Sequence, residues 1–276
     1  MRSFIRVSAR QYNQFPIGRK SIPLAAQLME DLQPPPYLSI VIPFYNEEES
    51  LAAVCSEVGE TFAEGFPHPW ELVMVDDGST DRTPALIDDL DRQFPNYHAV
   101  HLDPNSGQSA ALQAGFRAAR GEFIATLDGD GQNDPRDIPV LLDALQKSGV
   151  DMMCGIRKDR ADNFVRRVSS RIANNVRSFF LKDNITDVGC SLRVFRRQCL
   201  EQVRFFRNAH RFFPALFIMA GHSVSEMPVN HRPREHGSSK YGGGINSRLW
   251  VGIADLAGVY WLRKRFLNYR VSNGKP

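Results

Sequence analysis

Short apolar runs alternate with helical segments along the first half of the chain, and this alternation restricts the folds available to it. Five runs have the length and composition of buried strands, at residues 38–43, 71–76, 98–102, 123–127 and 150–155. Strands that alternate with helices form a mainly parallel sheet, because each right-handed crossover returns the chain to the same end of the sheet. The sequence therefore predicts an α/β fold with helices on both faces of the sheet.

Polar turns follow four of these predicted strands. They are Tyr45-Asn46-Glu47, Asp76-Asp77-Gly78-Ser79, Asn105-Ser106-Gly107-Gln108 and Asp128-Gly129-Asp130. The first turn is also expected to begin a helix at Asn46 or Glu47. Ligands of open parallel sheets bind at the carboxyl ends of the strands. We therefore expect the four turns to meet in one binding site.

The turn after the fourth strand carries two carboxylates one residue apart. Asp128 and Asp130 can both face one small cation, and the glycines beside them let the backbone approach a ligand closely. Gln132 adds a neutral oxygen two residues later. Oxygen ligands at an open strand end suit Mg²⁺ or Mn²⁺ bound to phosphates, rather than zinc. An acidic turn that merely caps the next helix is the alternative at this point.

Basic residues are concentrated in the middle of the chain, although the net charge of the whole chain is only +3. Residues 157–211 contain fourteen basic and five acidic residues. Such a local field suits anionic partners such as phosphates or a membrane surface. No nucleic-acid recognition motif accompanies it, so nucleic acid is not an expected partner. Dinucleotide and Walker A fingerprints do not occur either, so a nucleotide would be held in another way.

The cysteines and the apolar runs indicate the compartment. The four cysteines show no CxxC spacing, and we predict that they are reduced and mostly buried, as in a cytosolic protein. Residues 1–20 lack the apolar stretch of a secretory signal. No apolar run reaches the roughly 18 residues that a membrane-spanning helix requires.

Four motifs together resemble the family 2 glycosyltransferases with a GT-A fold. They are SIVIPFYNE at 39–47, VDDGSTD at 75–81, NSG at 105–107 and LDGDGQ at 127–132. Two later motifs narrow the resemblance to the dolichyl-phosphate mannose synthase and undecaprenyl-phosphate glycosyltransferase branch. These are DVGCSLRVFR at 187–196 and HRPREHGSSKYG at 231–242, which contains the branch-specific Arg-x-x-Gly-x-Ser-Lys-Tyr pattern. The resemblance extends over residues 38–241.

The resemblance implies an inverting transfer of a sugar from a UDP- or GDP-linked donor to a polyprenyl phosphate, either undecaprenyl or dolichyl phosphate. It implies Mg²⁺ or Mn²⁺ as the cofactor, with Asp128, Asp130 and Gln132 as ligands. The implied nucleotide-binding residues are Pro43, Tyr45, Glu47, Asp77 and Asp128. The implied contacts of the acceptor phosphate are Arg157, Arg166 or Arg167, Arg234 and Ser239. The residues implied to act in catalysis are Asp130, Arg234 and Lys240.

The chain is predicted to have three parts. Residues 1–36 lack periodicity and end in three prolines, which suits a poorly ordered extension. Residues 37–244 would form the GT-A catalytic domain, and residues 245–276 a C-terminal amphipathic helix and tail. Apolar and aromatic residues at 249–262 precede the basic Arg263-Lys264-Arg265, a pattern that suits a helix lying on an anionic membrane surface. An ordinary helix packed on the domain is the alternative.

Together these expectations predict that the protein is attached peripherally to the cytoplasmic, inner face of the cell membrane. A membrane-embedded partner subunit or a homo-oligomer is a further possible partner. Two other functions stay open: a soluble glycosyltransferase that acts on a saccharide or protein hydroxyl, with Asp187 as its candidate base, and a non-catalytic protein that binds a nucleotide sugar. His210 and Arg211 precede an apolar run and are interpreted as anchors of a core helix.

Overall fold

A computed structural model of the chain describes residues 35–63, 65–157, 174–234 and 245–267, with side chains in the last segment described from Trp250 onward. The predicted extension over residues 1–34 lies outside the described residues. So do four of the predicted site residues, which are Arg166, Arg167, Ser239 and Lys240.

The first half of the chain follows the predicted alternation. Its strands are β1 (Leu38–Phe44), β2 (Trp70–Asp76), β3 (Tyr97–His101), β4 (Phe123–Thr126) and β5 (Met152–Arg157). Its helices are α1 (Leu51–Ala63), α2 (Thr83–Gln93), α3 (Gln108–Ala118) and α4 (Asp137–Ser148). Helix α1 begins later than predicted. The reason is that Asn46 has a left-handed backbone with φ of 51°, and its N–H donates to Ser79 Oγ instead of entering a helix.

The second half contains shorter elements. Helix α5 is described over residues 174–181. It is followed by β6 (Arg193–Arg196), two 3₁₀ turns (Arg197–Glu201 and Ala209–Phe212), α6 (Phe213–Met219), β7 (Val224–Val229) and α7 (Ile245–Arg265). Helix α7 is the C-terminal helix that the sequence predicted.

Seven strands of the described chain form one sheet in the order β3-β2-β1-β4-β6-β5-β7. Strand β6 runs antiparallel to both of its neighbours, β4 and β5, and the other neighbouring pairs are parallel. The prediction of a mainly parallel sheet is therefore confirmed. The carboxyl ends of β1, β2 and β4 lie at the same edge, which brings their polar turns together.

The strands are buried on both faces, which explains why they read as continuous apolar runs. In β1, Ile40 and Ile42 face a cluster that includes α1 and α4, whereas Val41 faces a cluster that includes α3 and α6. Helix α3 lies very close to the sheet, because a Cβ on Gly115 would come within 2.4 Å of a Val41 methyl group. Helices on both faces are thus confirmed.

Helix α7 packs one side against the domain and leaves the other exposed. Val259 is buried, and Leu256 and Leu262 pack on the same core cluster as α6. On the outer side Trp250 and Trp261 are 69% and 57% exposed. No helix within the described ranges combines the length and the apolar composition that crossing a bilayer demands.

Candidate active site

A cavity of about 390 Å³ opens at the carboxyl edge of the sheet. All four predicted turns contribute to its wall. The predicted site residues that line it are Pro43, Tyr45, Glu47, Asp77, Asp128, Asp130 and Arg234. Arg234 lies more than a hundred residues beyond the last turn and reaches the cavity after β7, which ends at Val229.

The second and third turns form one hydrogen-bonded unit around Asp77. Its buried carboxylate accepts the backbone N–H groups of Ser106 at 2.9 Å and Gly107 at 3.1 Å, and the side-chain amide of Asn105 at 3.0 Å. Burial raises the pKa of Asp77, although these donors oppose the shift. Gly78 permits the close approach, since its φ is 67° and a Cβ there would lie 2.5 Å from the Asn105 nitrogen. This unit fixes the wall of the predicted nucleotide site.

The fourth turn presents the two predicted metal-binding carboxylates. Asp128 accepts a hydrogen bond from Gln108 Nε2 at 2.9 Å. Burial and the neighbouring charge of Asp130 raise the pKa of Asp128 to about 6. The turn is held from below, because Ser50 Oγ donates to the Gly129 carbonyl at 2.8 Å. Two carboxylates that repel each other at an oxygen-rich site fit a divalent cation well.

Arg234 already places a positive charge at this pair. Its Nη2 lies 2.5 Å from Asp130 Oδ2, and its Nη1 lies 3.9 Å from Glu47 Oε1. The residue belongs to the Arg-x-x-Gly-x-Ser-Lys-Tyr motif, so the contact joins the branch-specific motif to the acidic turn. A charge-assisted contact of this kind is stronger than one between neutral groups.

Gln132, the predicted third metal ligand, makes its described hydrogen bonds through its nitrogen atoms. Its side-chain amide donates to the Arg232 carbonyl at 3.2 Å, and its backbone N–H donates to Asp130 Oδ1 at 3.1 Å. Its side chain does not line the cavity. These contacts connect the acidic turn to the segment that carries Arg234, and the set of Asp128, Asp130 and Gln132 stays the predicted group of metal ligands.

Arg157, a predicted contact of the acceptor phosphate, forms an ion pair in this structure. Its Nε and Nη2 each lie 2.8 Å from a different oxygen of the buried Asp187, which is a two-pronged ion pair. Gly189 packs against this pair, since a Cβ there would lie 2.6 Å from Arg157 Nη2. Arg157 does not line the cavity. The same pairing engages Asp187, which weakens its candidacy as a general base.

The structure adds to the cavity wall a segment that the sequence analysis did not assign to the binding site. Arg207, Asn208, His210 and Arg211 all line the cavity. His210 and Arg211 also lie just before the buried helix α6, which agrees with their interpretation as anchors of a core helix. The local sequence gave one signal, a polar cluster in front of an apolar helix. It could not show that this cluster faces turns a hundred residues earlier.

His210 is a neutral member of this segment. Its backbone N–H donates to Ser109 Oγ at 3.2 Å, and the Ser109 hydroxyl in turn lies 2.8 Å from His210 Nδ1. Burial, followed by the charges of Arg211 and Arg193, lowers the pKa of His210 to about 3. The ring therefore carries no charge at neutral pH, and it ties the segment to the start of α3.

Comparison with known proteins identifies the family. The family model described as Glycosyl transferase family 2 matches residues 39–204, which is more than half of the chain. The chain belongs to glycosyl transferase family 2. This confirms the predicted family, and the catalytic class is that of a glycosyltransferase.

Two curated relatives of this family member are polyprenyl-phosphate sugar transferases by name, the class that the later motifs resemble. A dodecaprenyl-phosphate galacturonate synthase of Rhizobium johnstonii is 40% identical over 243 residues, which cover 86% of this chain and 69% of the relative. An undecaprenyl-phosphate 4-deoxy-4-formamido-L-arabinose transferase of Edwardsiella ictaluri is 36% identical over 222 residues, which cover 78% of this chain and 66% of the relative.

A solved structure confirms the GT-A-like fold of this glycosyl transferase family 2 member. It is glucosyl-3-phosphoglycerate synthase from Mycobacterium tuberculosis, in complex with Mn²⁺, UDP and glucosyl-3-phosphoglycerate. The TM-score is 0.60 at 15% identity, and the alignment covers 84% of this chain and 81% of the other. At this identity the similarity establishes only a shared fold. It gives no information on the substrates of this chain.

Proposed function

We propose that this protein is an inverting glycosyltransferase that moves a sugar from a nucleotide-diphosphate sugar to a polyprenyl phosphate at a membrane surface. The contact between Arg234 and Asp130 carries the proposal, because it brings the motif typical of the lipid-phosphate branch into the cavity formed by the strand-end turns. The two relatives, which are named for transfer to polyprenyl phosphates, support the same acceptor class.

The donor would occupy the cavity along the first three turns. Tyr45 and Pro43 line the side next to β1, and the unit around Asp77 lines the side next to β2. Asp128 and Asp130 would hold Mg²⁺ or Mn²⁺. A bound divalent ion stabilises the negative charge of a leaving diphosphate.

Arg234 contributes from the protein itself. Its guanidinium lies in the cavity wall beside Asp130, where it can bind a diphosphate oxygen and stabilise the charge that develops as the sugar leaves. Arginine suits this task because its planar fork matches the geometry of phosphate oxygens. Attack by the acceptor from the face opposite the diphosphate would invert the anomeric carbon.

The acceptor side of the cavity suits a phosphate better than a hydroxyl. A lipid phosphate is already ionised at neutral pH and needs no general base. A hydroxyl acceptor needs a base, and the candidate Asp187 is engaged by both nitrogens of the Arg157 fork. The cavity wall instead offers the guanidinium groups of Arg207 and Arg211.

The proposal includes peripheral attachment to the inner face of the cell membrane through α7. Its exposed side carries Trp250, Ile253 and Trp261, and its last turn carries Lys264 and Arg265. Aromatic and apolar groups beside basic groups suit the boundary between lipid headgroups and acyl chains.

Helix α5 extends this apolar surface. Phe179 is 76% exposed, and the ring of Phe180 packs edge-on against Tyr260 with centroids 5.6 Å apart. Arg263 Nη1 donates to the Phe180 carbonyl at 2.8 Å, which fixes the end of α5 against α7. An exposed cluster of this kind in a soluble domain usually marks an interaction surface.

The decisive experiment replaces one candidate metal ligand. Asp130→Asn keeps the size of the side chain but removes its charge, and we expect transfer of labelled sugar to undecaprenyl phosphate to fall by at least about a hundredfold. Asp143→Asn is the matched control, because Asp143 is exposed on α4 and pairs only with Lys147 among its described contacts. Full activity of Asp130→Asn with the metal chelated would contradict the proposal.

The donor can be identified by a separate measurement. A ligand that binds the folded protein raises its melting temperature by mass action. We expect one nucleoside diphosphate to stabilise the protein most in the presence of Mn²⁺, and its sugar derivatives can then be tested for transfer. Transfer to a saccharide hydroxyl and to no polyprenyl phosphate would favour the alternative acceptor class.

A further inference from the structure

We propose that Arg207 and Arg211 form a second oxyanion subsite in the cavity wall, separate from the acidic turn. This inference depends on the proposed function only for the identity of the ligand that occupies the subsite. Its chemistry is that of a phosphate or carboxylate bound by two guanidinium groups, and we assign the phosphate of the lipid acceptor as the occupant.

The two arginines differ from the third cavity arginine in their pairing. Arg234 lies against the carboxylate of Asp130, whereas the side chains of Arg207 and Arg211 have no hydrogen-bond or ion-pair partner within the described part of the chain. Both are exposed and both line the cavity. Guanidinium groups that line a cavity and have no ion-pair partner suit an anionic oxygen group.

The segment that carries these arginines is held in place from two sides. Asn208 has a left-handed backbone with φ of 69°, and its side-chain amide donates to Asp255 Oδ2 of α7 at 3.0 Å. On the other side the backbone N–H of His210 donates to Ser109 of α3. Fixed groups lose less conformational entropy on binding, so this anchoring favours ligand binding by the two arginines.

A second, smaller cavity shares Arg211 with the first and provides an independent observation. It has a volume of about 190 Å³. Arg193 lines the smaller one, is 4% exposed, and has an Nε without a hydrogen-bond partner among the residues described. A buried donor without a partner is unfavourable, and an oxyanion beside Arg211 would supply an acceptor close to it.

The contact with α7 favours the acceptor phosphate over a carboxylate on the donor sugar. Asn208 and Asp255 join the arginine segment to the helix whose outer side exposes Trp250 and Ile253. A lipid acceptor would lie in the membrane that α7 is proposed to contact, and the hydrogen bond of Asn208 ties the arginine segment to this helix. A uronic acid donor would bring a carboxylate into the same cavity, so the experiment distinguishes the two sources.

The test is direct binding, measured by calorimetry on the whole chain with Arg207→Gln, Arg211→Gln and the double variant. The phosphate probe is farnesyl phosphate in detergent, compared with farnesol. The carboxylate probe is UDP-galacturonate with Mn²⁺, compared with UDP-galactose. Arg204→Gln is the matched control, because Arg204 is exposed in the same region of the chain and lines neither cavity.

We expect the double variant to bind farnesyl phosphate at least about tenfold more weakly, with farnesol and both UDP-sugars unaffected. A loss confined to UDP-galacturonate would overturn the assignment to the acceptor and keep the oxyanion subsite. Unchanged binding of all four probes, or an equal loss in Arg204→Gln, would overturn the subsite itself. Transfer activity is scored separately, so a wild-type protein that binds farnesyl phosphate through these arginines but transfers no sugar would refute the proposed function alone.

Discussion

The two walls of the cavity use their polar groups differently. On the donor wall, Asp77 accepts three hydrogen bonds from one neighbouring turn, and Asp130 is paired with Arg234. On the acceptor wall, the part of the cavity that we propose to bind the lipid phosphate, Arg207 and Arg211 have no side-chain partner within the described chain. A hydrogen bond connects this wall to α7, whose outer surface is apolar. The donor wall is therefore largely preorganised, whereas the acceptor wall offers charge and apolar surface to a ligand.

The largest effect is expected at the ion pair of Arg234 and Asp130 on the donor wall. Arg234→Gln removes the guanidinium beside Asp130, and we expect kcat to fall by about a hundredfold to a thousandfold, because charge on the leaving diphosphate loses a stabilising donor. Steady-state transfer assays over a range of donor concentrations measure kcat and KM together. Arg92→Gln on the exposed side of α2 serves as the control. A rise in KM with kcat unchanged would show that Arg234 contributes to binding alone.

The close packing of the donor wall can be disrupted by the substitution Gly78→Ala. Alanine there meets both an unfavourable φ of 67° and a clash with the Asn105 backbone, so we expect unfolding free energy to fall by about 2–3 kcal/mol, with weaker nucleotide binding. Gly65→Ala is a matched control, because Gly65 also has a positive φ, of 89°, but no neighbour within 4 Å of the added Cβ. Urea unfolding of both variants separates the clash from the backbone strain. Equal losses would mean that the close approach of the two turns contributes nothing.

The same contrast explains which features could be predicted from the sequence. Strands β1 to β5 and the turns that follow them are local patterns, so the apolar runs and the turn residues were sufficient to place Asp77, Asp128 and Asp130 at one edge. The cavity position of Arg234 followed from a family motif. The later start of α1 was missed, because it depends on a hydrogen bond between Asn46 and Ser79, which are far apart in sequence.

The acceptor wall was harder to predict for a physical reason. Arg207 and Arg211 reach the cavity because the preceding chain folds back through β6 and because Asn208 is held by α7. The pairing of Arg157 with Asp187 was not predicted, because the sequence shows the basic side chain but not the packing around Gly189. Contacts between distant segments decide both cases, and no local pattern encodes them.

The exposed apolar side of α7 leads to a prediction on membrane binding, with an expected effect of intermediate size. Trp250 and Trp261 are exposed, so the double substitution to alanine should leave the melting temperature almost unchanged. Each lost ring removes part of the apolar area that would enter the membrane interface, and we expect binding to vesicles with anionic phospholipid to weaken by about tenfold or more. Vesicle sedimentation measures this, and Phe94→Ala, an exposed aromatic residue at the end of α2, is the control. Equal vesicle binding by the wild-type protein and the double variant would contradict attachment through α7.

The smallest effect is expected at Asp255, which connects α7 to the segment that carries Arg207 and Arg211. Asp255→Ala removes the acceptor for the Asn208 amide, so the arginine segment loses one of its anchors while both guanidinium groups remain. We expect KM for polyprenyl phosphate to rise about threefold to tenfold, with KM for the donor unchanged, since one hydrogen bond to a charged group is lost. Asp255→Asn keeps an oxygen that can accept the same hydrogen bond and should restore much of the affinity. If Asp255→Ala instead raised both KM values equally, the two walls would behave as one unit and the contrast between them would fail.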